Sequence, residues 1–189
     1  MSSGRVFRFT PAKERQAKHL FVFLHGCGAT AHSMIPIAFK FQARFTTAAL
    51  VVPSGFDPDA RGEAAQDWYP TRGLHCDNHR ERVAAVMPDF EDFVRHEQVT
   101  AGVTASRTVL VGFSQGGTLA LEAVKIPGIA GAVVAFSSRY ARLPARGARI
   151  GSRISSSWSR RSSRRSPPSP ALVLTRFAWC RCFSARAAT

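Results

Sequence analysis

Ser114 is the residue whose surroundings best equip it for chemistry. It lies in the run Val109, Leu110, Val111, Gly112, Phe113, Ser114, Gln115, Gly116, Gly117, where an apolar stretch passes into the pattern Gly-x-Ser-x-Gly. A serine projected from a tight turn between a strand and a helix is a nucleophile for acyl transfer through a covalent acyl intermediate. Gly112 and Gly116 leave room for the strained backbone and for close neighbours. The N–H of Gln115, at the start of the helix, can donate to a developing oxyanion, and the helix N-terminus adds positive potential there. A second donor is expected from the loop after an earlier strand. His25, Gly26, Cys27 and Gly28 form such a loop, and the Cys27 N–H is the candidate.

A serine hydroxyl is a weak nucleophile at neutral pH and needs an adjacent base. After an elbow of this kind an acid and then a histidine are expected downstream. Here the last histidine is His96, the last aspartate is Asp92, and the sole acid after the serine is Glu122. His25 fits the ordering of the oxyanion loop better than the part of a base. His32, His75, His79 and His96 read as surface or helix residues. Asp67, Asp77 and Asp92 read as loop, cap and exposed helix positions. Trp68 fits the wall of an acyl pocket as well as a core aromatic or a loop anchor. The sequence therefore predicts a hydroxyl that is well presented but lacks a base.

The elements around these residues follow from hydrophobic spacing. Val6 to Phe9 alternates as a short edge strand. Leu20 to Leu24 and Ala48 to Val52 are continuous apolar runs of strand length, as in a parallel sheet covered on both faces. Ser33 to Phe45 carries helical spacing, with Pro36 tolerable in the first turn. Residues 55–77 form a long loop holding Trp68 and Tyr69, and loops this long are often functional. A helix runs from Asp77 or Asn78 to about Glu97, with Val83, Val86, Met87, Phe90, Phe93 and Val94 as its apolar stripe. Asn78 is its expected N-cap, with Glu81 three residues on, and Pro88 is expected to kink it. Thr108 to Val111 is the strand before the elbow, Thr118 to Lys125 the helix after it, and Gly131 to Phe136 a further buried strand. Strands alternating with helices predict an α/β fold with a mostly parallel, doubly wound sheet.

The chain has 189 residues, 45% of them hydrophobic, enough for one domain with a real core. Its net charge of +14 is unevenly spread: residues 1–138 carry +2, and residues 139–189 carry +12 from 12 Arg, with no Lys, Asp or Glu. A nearly neutral body argues against nucleic acid as the main partner. Cys27, Cys76, Cys180 and Cys182 form no CxxC pair and have no histidine at ligand spacing, so no metal is expected and the thiols suit a reducing compartment. Met1 to Leu20 is polar, unlike a signal peptide. No apolar stretch approaches the length of a membrane span. A cytoplasmic protein with no membrane partner is the expectation.

Several motifs in order resemble one family. They are Leu24 to Ala29 (LHGCGA), Gln66 to Tyr69 (QDWY), Asp77 to Arg80 (DNHR) with its helix, Val111 to Gly117 (VGFSQGG), and Ala135 to Tyr140 (AFSSRY). They resemble the phospholipase/carboxylesterase branch of the α/β hydrolases, which contains the acyl-protein thioesterases, and most of all its small bacterial cytoplasmic esterases. The resemblance covers about residues 5–144. It implies hydrolysis of short or medium acyl esters or thioesters without a cofactor or metal. Ser114 would be the nucleophile, and the N–H groups of Cys27 and Gln115 the oxyanion hole. The family places an aspartate in a Gly-x-x-Asp loop after the next strand and a histidine in a later Gly-His turn. This sequence has neither, and its last strands and closing helix find no counterpart.

Composition changes abruptly near residues 139–144. The segment 145–189 is rich in Arg and Ser, without one acid, and is not expected to fold on its own. GC-rich DNA read out of frame yields Arg, Ala, Ser, Pro and Gly, so the switch predicts a frame shift near residues 139–145. The sequence thus divides into a hydrolase domain, 1–144, that is incomplete at its C-terminal side, and a tail, 145–189. Arg160, Arg161, Arg164 and Arg165 would bind nucleic acid through charge, without specificity; a basic arm of this kind is the alternative function. Without its later strands the sheet would end at Gly131 to Phe136, an exposed apolar edge that only Ala171 to Thr175 could cover.

Overall fold

The protein is described here by a computed structural model covering residues 5–11, 16–56, 67–142, 151–152 and 172–176, the last two as backbone only. Five central strands carry the argument. They are β1 (Val6–Phe9), β2 (His19–Leu24), β3 (Ala48–Pro53), β4 (Thr108–Phe113) and β5 (Ala132–Phe136). Two further strands follow, β6 (Gly151–Ser152) and β7 (Leu172–Arg176). The sheet order is β1-β3-β2-β4-β5-β7-β6. Only β1 runs antiparallel to its neighbour; the other pairings are parallel.

The continuous apolar runs are explained by helices on both faces. Along β2, Leu20, Val22 and Leu24 join one core cluster, while Phe21 and Phe23 join the other. The first face is covered by α2 (Cys76–Ala101) and α3 (Gln115–Ala123), the second by α1 (Ile35–Arg44). Val83, Val86, Phe90 and Val94 of α2 are buried against the first face, as their spacing predicts, while Met87 and Phe93 are partly buried. Nearly every residue of α3 is buried, because it lies between α2 and the sheet.

Three expectations are corrected. The N-cap of α2 is His75, not Asn78: the helix starts three residues earlier, and Asn78 Oδ1 accepts the His75 N–H at 2.8 Å from the N3 position. Pro88 lies inside the helix, which continues to Ala101, and the missing N–H gives up the hydrogen bond that residue 88 would make to the Ala84 carbonyl. His79 lies on the helix, as expected, but is buried. The sheet does not stop at β5. Strand β7 pairs with β5 in parallel, from Ala132 beside Leu172 to Phe136 beside Arg176, and β6 pairs beyond it. The segment expected to cover the edge does so. The Arg and Ser runs of the tail, and residues 143–145 of the stretch where the frame shift is placed, lie outside the described residues. So does Gln66.

Candidate active site

The elbow is built by close approach of backbone. Ser114 joins β4 to α3 with φ 51 and ψ −113, a left-handed conformation that costs a non-glycine residue energy. The turn is tight because the residues around it have no side chain. A Cβ on Gly112 would stand 2.5 Å from the Gly116 carbonyl oxygen, and one on Gly116 would stand 2.5 Å from the His25 carbonyl oxygen. Four hydrogen bonds hold the serine backbone, one of them from the Thr118 hydroxyl to the serine carbonyl at 3.3 Å. Its N–H donates to the Phe136 carbonyl at 2.9 Å. Its carbonyl accepts from the Thr118 N–H at 3.0 Å and from the Ser138 hydroxyl at 3.0 Å.

The loop after β2 is pinned against this turn. The His25 carbonyl accepts from the Gly116 N–H at 3.1 Å and from Trp68 Nε1 at 2.9 Å. Asp67 clasps the next residues: Oδ1 accepts the Gly28 N–H at 2.7 Å, while Oδ2 accepts the Cys27 thiol at 3.4 Å and the Thr71 hydroxyl at 2.9 Å. The Gln115 side chain completes the link, accepting the Trp68 N–H at 2.9 Å and donating to the Tyr69 carbonyl at 2.9 Å. Two loops distant in sequence are thereby fixed around one serine. As the first residue of α3, Gln115 has an N–H with no helical partner of its own.

Trp68 sits beneath the loop. It is 1% exposed and packs edge-on against Phe56 and Phe90. Its ring lies in the core while its Nε1 ties down the loop after β2. His25 is fully buried, its Nδ1 against the Gly26 carbonyl at 2.9 Å and its Nε2 without a partner. Burial holds its pKa below the ordinary value, against a smaller opposing effect of that carbonyl, so the ring is neutral and Nδ1 is the donor. His79 is likewise held low, by burial and then by Arg139, and meets the Tyr69 hydroxyl at 3.1 Å. Burial raises the Tyr69 phenol well above its usual value, leaving it protonated.

The other titratable groups lie apart. His32 stacks edge-on against Phe7, and His96 meets Thr100 on α2. Asp77 stands in the first turn of α2. Glu122, near the far end of α3, accepts the Ala141 N–H at 2.8 Å and the Arg142 N–H at 3.3 Å. Among the described residues no hydrogen bond joins a histidine ring to the Ser114 hydroxyl. Nor do those residues gather three or more His, Cys, Asp or Glu side chains fit to hold a metal ion.

Sequence reasoning missed the clamp role of Asp67, the bridging side chain of Gln115 and the Ser138 tether. The QDWY motif flagged the right loop, but its partners lie 39 and 47 residues away, and no local pattern reports such distances.

The family model described as Phospholipase/Carboxylesterase matches residues 8–147. Esterase YpfH of Escherichia coli (strain K12) is 39% identical over 132 residues, covering 69% of this chain and 56% of that protein. Acyl-protein thioesterase 1 of Cryptococcus neoformans is 27% identical over 108 residues, covering 53% of this chain and 45% of that protein. Among solved structures, esterase PE8 superposes with a TM-score of 0.64 at 25% identity, covering 74% of this chain and 65% of that one. The chain thus spans about half the length of the two sequence relatives. With an α/β-hydrolase sheet, a strained serine elbow and a family match over most of its length, the chain belongs to the phospholipase/carboxylesterase family.

Proposed function

We propose that the site is that of a serine carboxylesterase or thioesterase acting on short or medium acyl groups, and that these 189 residues catalyse the reaction slowly. The observation that carries the reading is the backbone of Ser114 at φ 51, held at the head of α3 with the His25–Gly28 loop against it. Strain of this kind is kept where the surroundings impose it, and it projects the hydroxyl above the sheet. The carbonyl carbon of the ester is attacked by the Ser114 oxygen. The oxyanion is met by the N–H groups of Cys27 and Gln115; the intermediate collapses to expel the alcohol or thiol, which takes up a proton as the serine proton passes to solvent, and water then hydrolyses the acyl-serine to the free acid and Ser114. Asp67, Trp68 and the Gln115 side chain position the donors without touching substrate. A cytoplasmic location is part of the same proposal and is supported by the likeness to a bacterial esterase. Separately, no helix among the described residues is long and apolar enough to cross a membrane.

Slowness follows from the missing base. The sequence holds no histidine after His96, and among the described residues no hydrogen bond joins a histidine ring to the Ser114 hydroxyl. Oxyanion donors and binding alone leave on the order of 10³–10⁴-fold acceleration over water in sites stripped of their triad. Two measurements test this. A fluorophosphonate should label the protein slowly at Ser114 and not label Ser114→Ala. Added imidazole should raise hydrolysis of a p-nitrophenyl ester in the unsubstituted protein well beyond its effect on Ser114→Ala. Fast labelling without imidazole would show that a base already reaches the serine. Equal imidazole stimulation of both proteins would remove Ser114 from the reaction.

A further inference from the structure

Ser138 brings a second hydroxyl to the elbow, and the backbone around it is shaped to seat that group. Ser137 before it has φ 52, a left-handed conformation at the end of β5 that costs a non-glycine residue energy. Gly117 leaves the space. A Cβ there would stand 1.9 Å from Ser138 Oγ and 2.8 Å from Ser138 Cβ, a harder clash than the 3.0 Å it would have with the Gly112 carbonyl oxygen. Gly117 lies outside the Gly-x-Ser-x-Gly pattern, which does not account for it. Seated there, the Ser138 hydroxyl donates to the Ser114 carbonyl at 3.0 Å and to the Phe136 carbonyl at 2.7 Å, its one proton shared between them.

The Ser114 carbonyl is a crowded acceptor. A helix carbonyl ordinarily takes the N–H four residues on. This one takes the Thr118 N–H at 3.0 Å, the Thr118 hydroxyl at 3.3 Å and the Ser138 hydroxyl. The Thr118 hydroxyl bond to the preceding turn is a common habit of threonine in helices. Ser138 reaches in from another element, 24 residues away. The Ser114 carbonyl and the Gln115 N–H are two ends of one planar, conjugated peptide unit. A donor on the oxygen draws electron density toward it and leaves the N–H more positive, so each bond strengthens the next. We infer that Ser138 is a positioning residue of the oxyanion hole: its hydroxyl polarises the Ser114–Gln115 peptide, and the Gln115 N–H binds the developing oxyanion more strongly. This rests on the proposed reaction, in which that N–H meets the oxyanion.

Loss of a whole oxyanion donor slows a reaction on the order of 10²–10³-fold, and one hydrogen bond strengthens its neighbour by about 10–30%. Removing the Ser138 hydroxyl should therefore slow the reaction about two- to eightfold. In the full protein, Ser138→Ala should be labelled at Ser114 by a saturating fluorophosphonate more slowly by that factor, with the half-saturating probe concentration unchanged. Ser138→Thr keeps the hydroxyl and should restore the rate. Heteronuclear NMR gives a readout that loosened packing does not imitate. The Gln115 amide proton should move upfield in Ser138→Ala and return in Ser138→Thr, while the Gly116 amide, held by the His25 carbonyl, stays in place. A Gln115 amide that does not move overturns the inference, because the proton then rests on the Phe136 carbonyl. An unchanged labelling rate in Ser138→Ala overturns it too, as does an equal loss in Ser138→Ala and Ser138→Thr, which would mean a packing role. Absence of Ser114 labelling in every variant, with the Gln115 shift present, would sink the esterase reading and leave the polarised peptide standing.

Discussion

Gln115 has two separable duties at the residue scale. Its N–H faces the proposed oxyanion, while its side chain satisfies the buried Trp68 N–H and the Tyr69 carbonyl. Gln115→Ala keeps the first and removes the second, leaving two buried polar groups unpaired at about 1–3 kcal/mol each. Urea unfolding should show that loss, and Ser114 labelling should slow as the Asp67–Trp68 loop loosens. Unchanged stability would mean that water replaces the amide at no cost.

Histidine burial gives a pH dependence of definite sign. His25 and His79 both have folded pKa values depressed below the ordinary 6.5, chiefly by burial. The unfolded chain therefore binds more protons near and below that pH. Their stabilising contribution is complete above the unfolded value and is lost as pH falls through the folded values. The melting temperature should be level from about pH 8 to 7 and decline below about pH 6.5. Ring proton shifts should titrate below the normal midpoint. A ring titrating at or above 6.5 contradicts the assignment.

Elements were legible in the sequence where one kind of spacing ran unbroken. The apolar runs of β2, β3 and β4 gave parallel strands, and the valine and phenylalanine stripe of α2 gave a helix packed on a sheet. The start of α2 was misread because Asn78 is a good cap residue and only tertiary geometry shows it working from N3. A longer-range link was not legible at all. Arg8 of β1 forms a two-pronged salt bridge with Glu97 of α2, at 2.9 Å from Nε and 2.6 Å from a terminal nitrogen. Glu97 is 1% exposed, whereas the Arg8 side chain is half exposed. Arg8→Ala leaves a buried carboxylate without its cation and should cost about 1–3 kcal/mol. Pairing it with Glu97→Gln should recover part of the loss, since the amide is cheaper to bury. A double-mutant cycle with no coupling would show that water screens the pair.

For the whole molecule the body and the tail pose different problems. The body's motifs could be read because each is local: an elbow, a Gly-rich loop, an amphipathic helix. The continuation of the sheet was legible only as a weak cover from Ala171 to Thr175, because β7 rests on a brief apolar run, Ala171 to Leu174, within a segment whose Arg and Ser content argues against folding. What gives that run a place is β5. Its Ala132–Phe136 backbone has one side paired to β4 and would otherwise present unpaired N–H and C=O groups on the other. Such an edge, flanked by apolar residues, recruits strands from other chains. Deleting residues 143–189 should therefore leave the elbow intact but convert the protein to a species that associates with rising concentration, seen as growing light scattering at micromolar protein. Adding a lysine on the bare strand, Val134→Lys, should suppress that association, because a charge on an edge strand discourages pairing. A deletion product that stays monomeric and melts at the same temperature would show that β7 contributes nothing to the sheet.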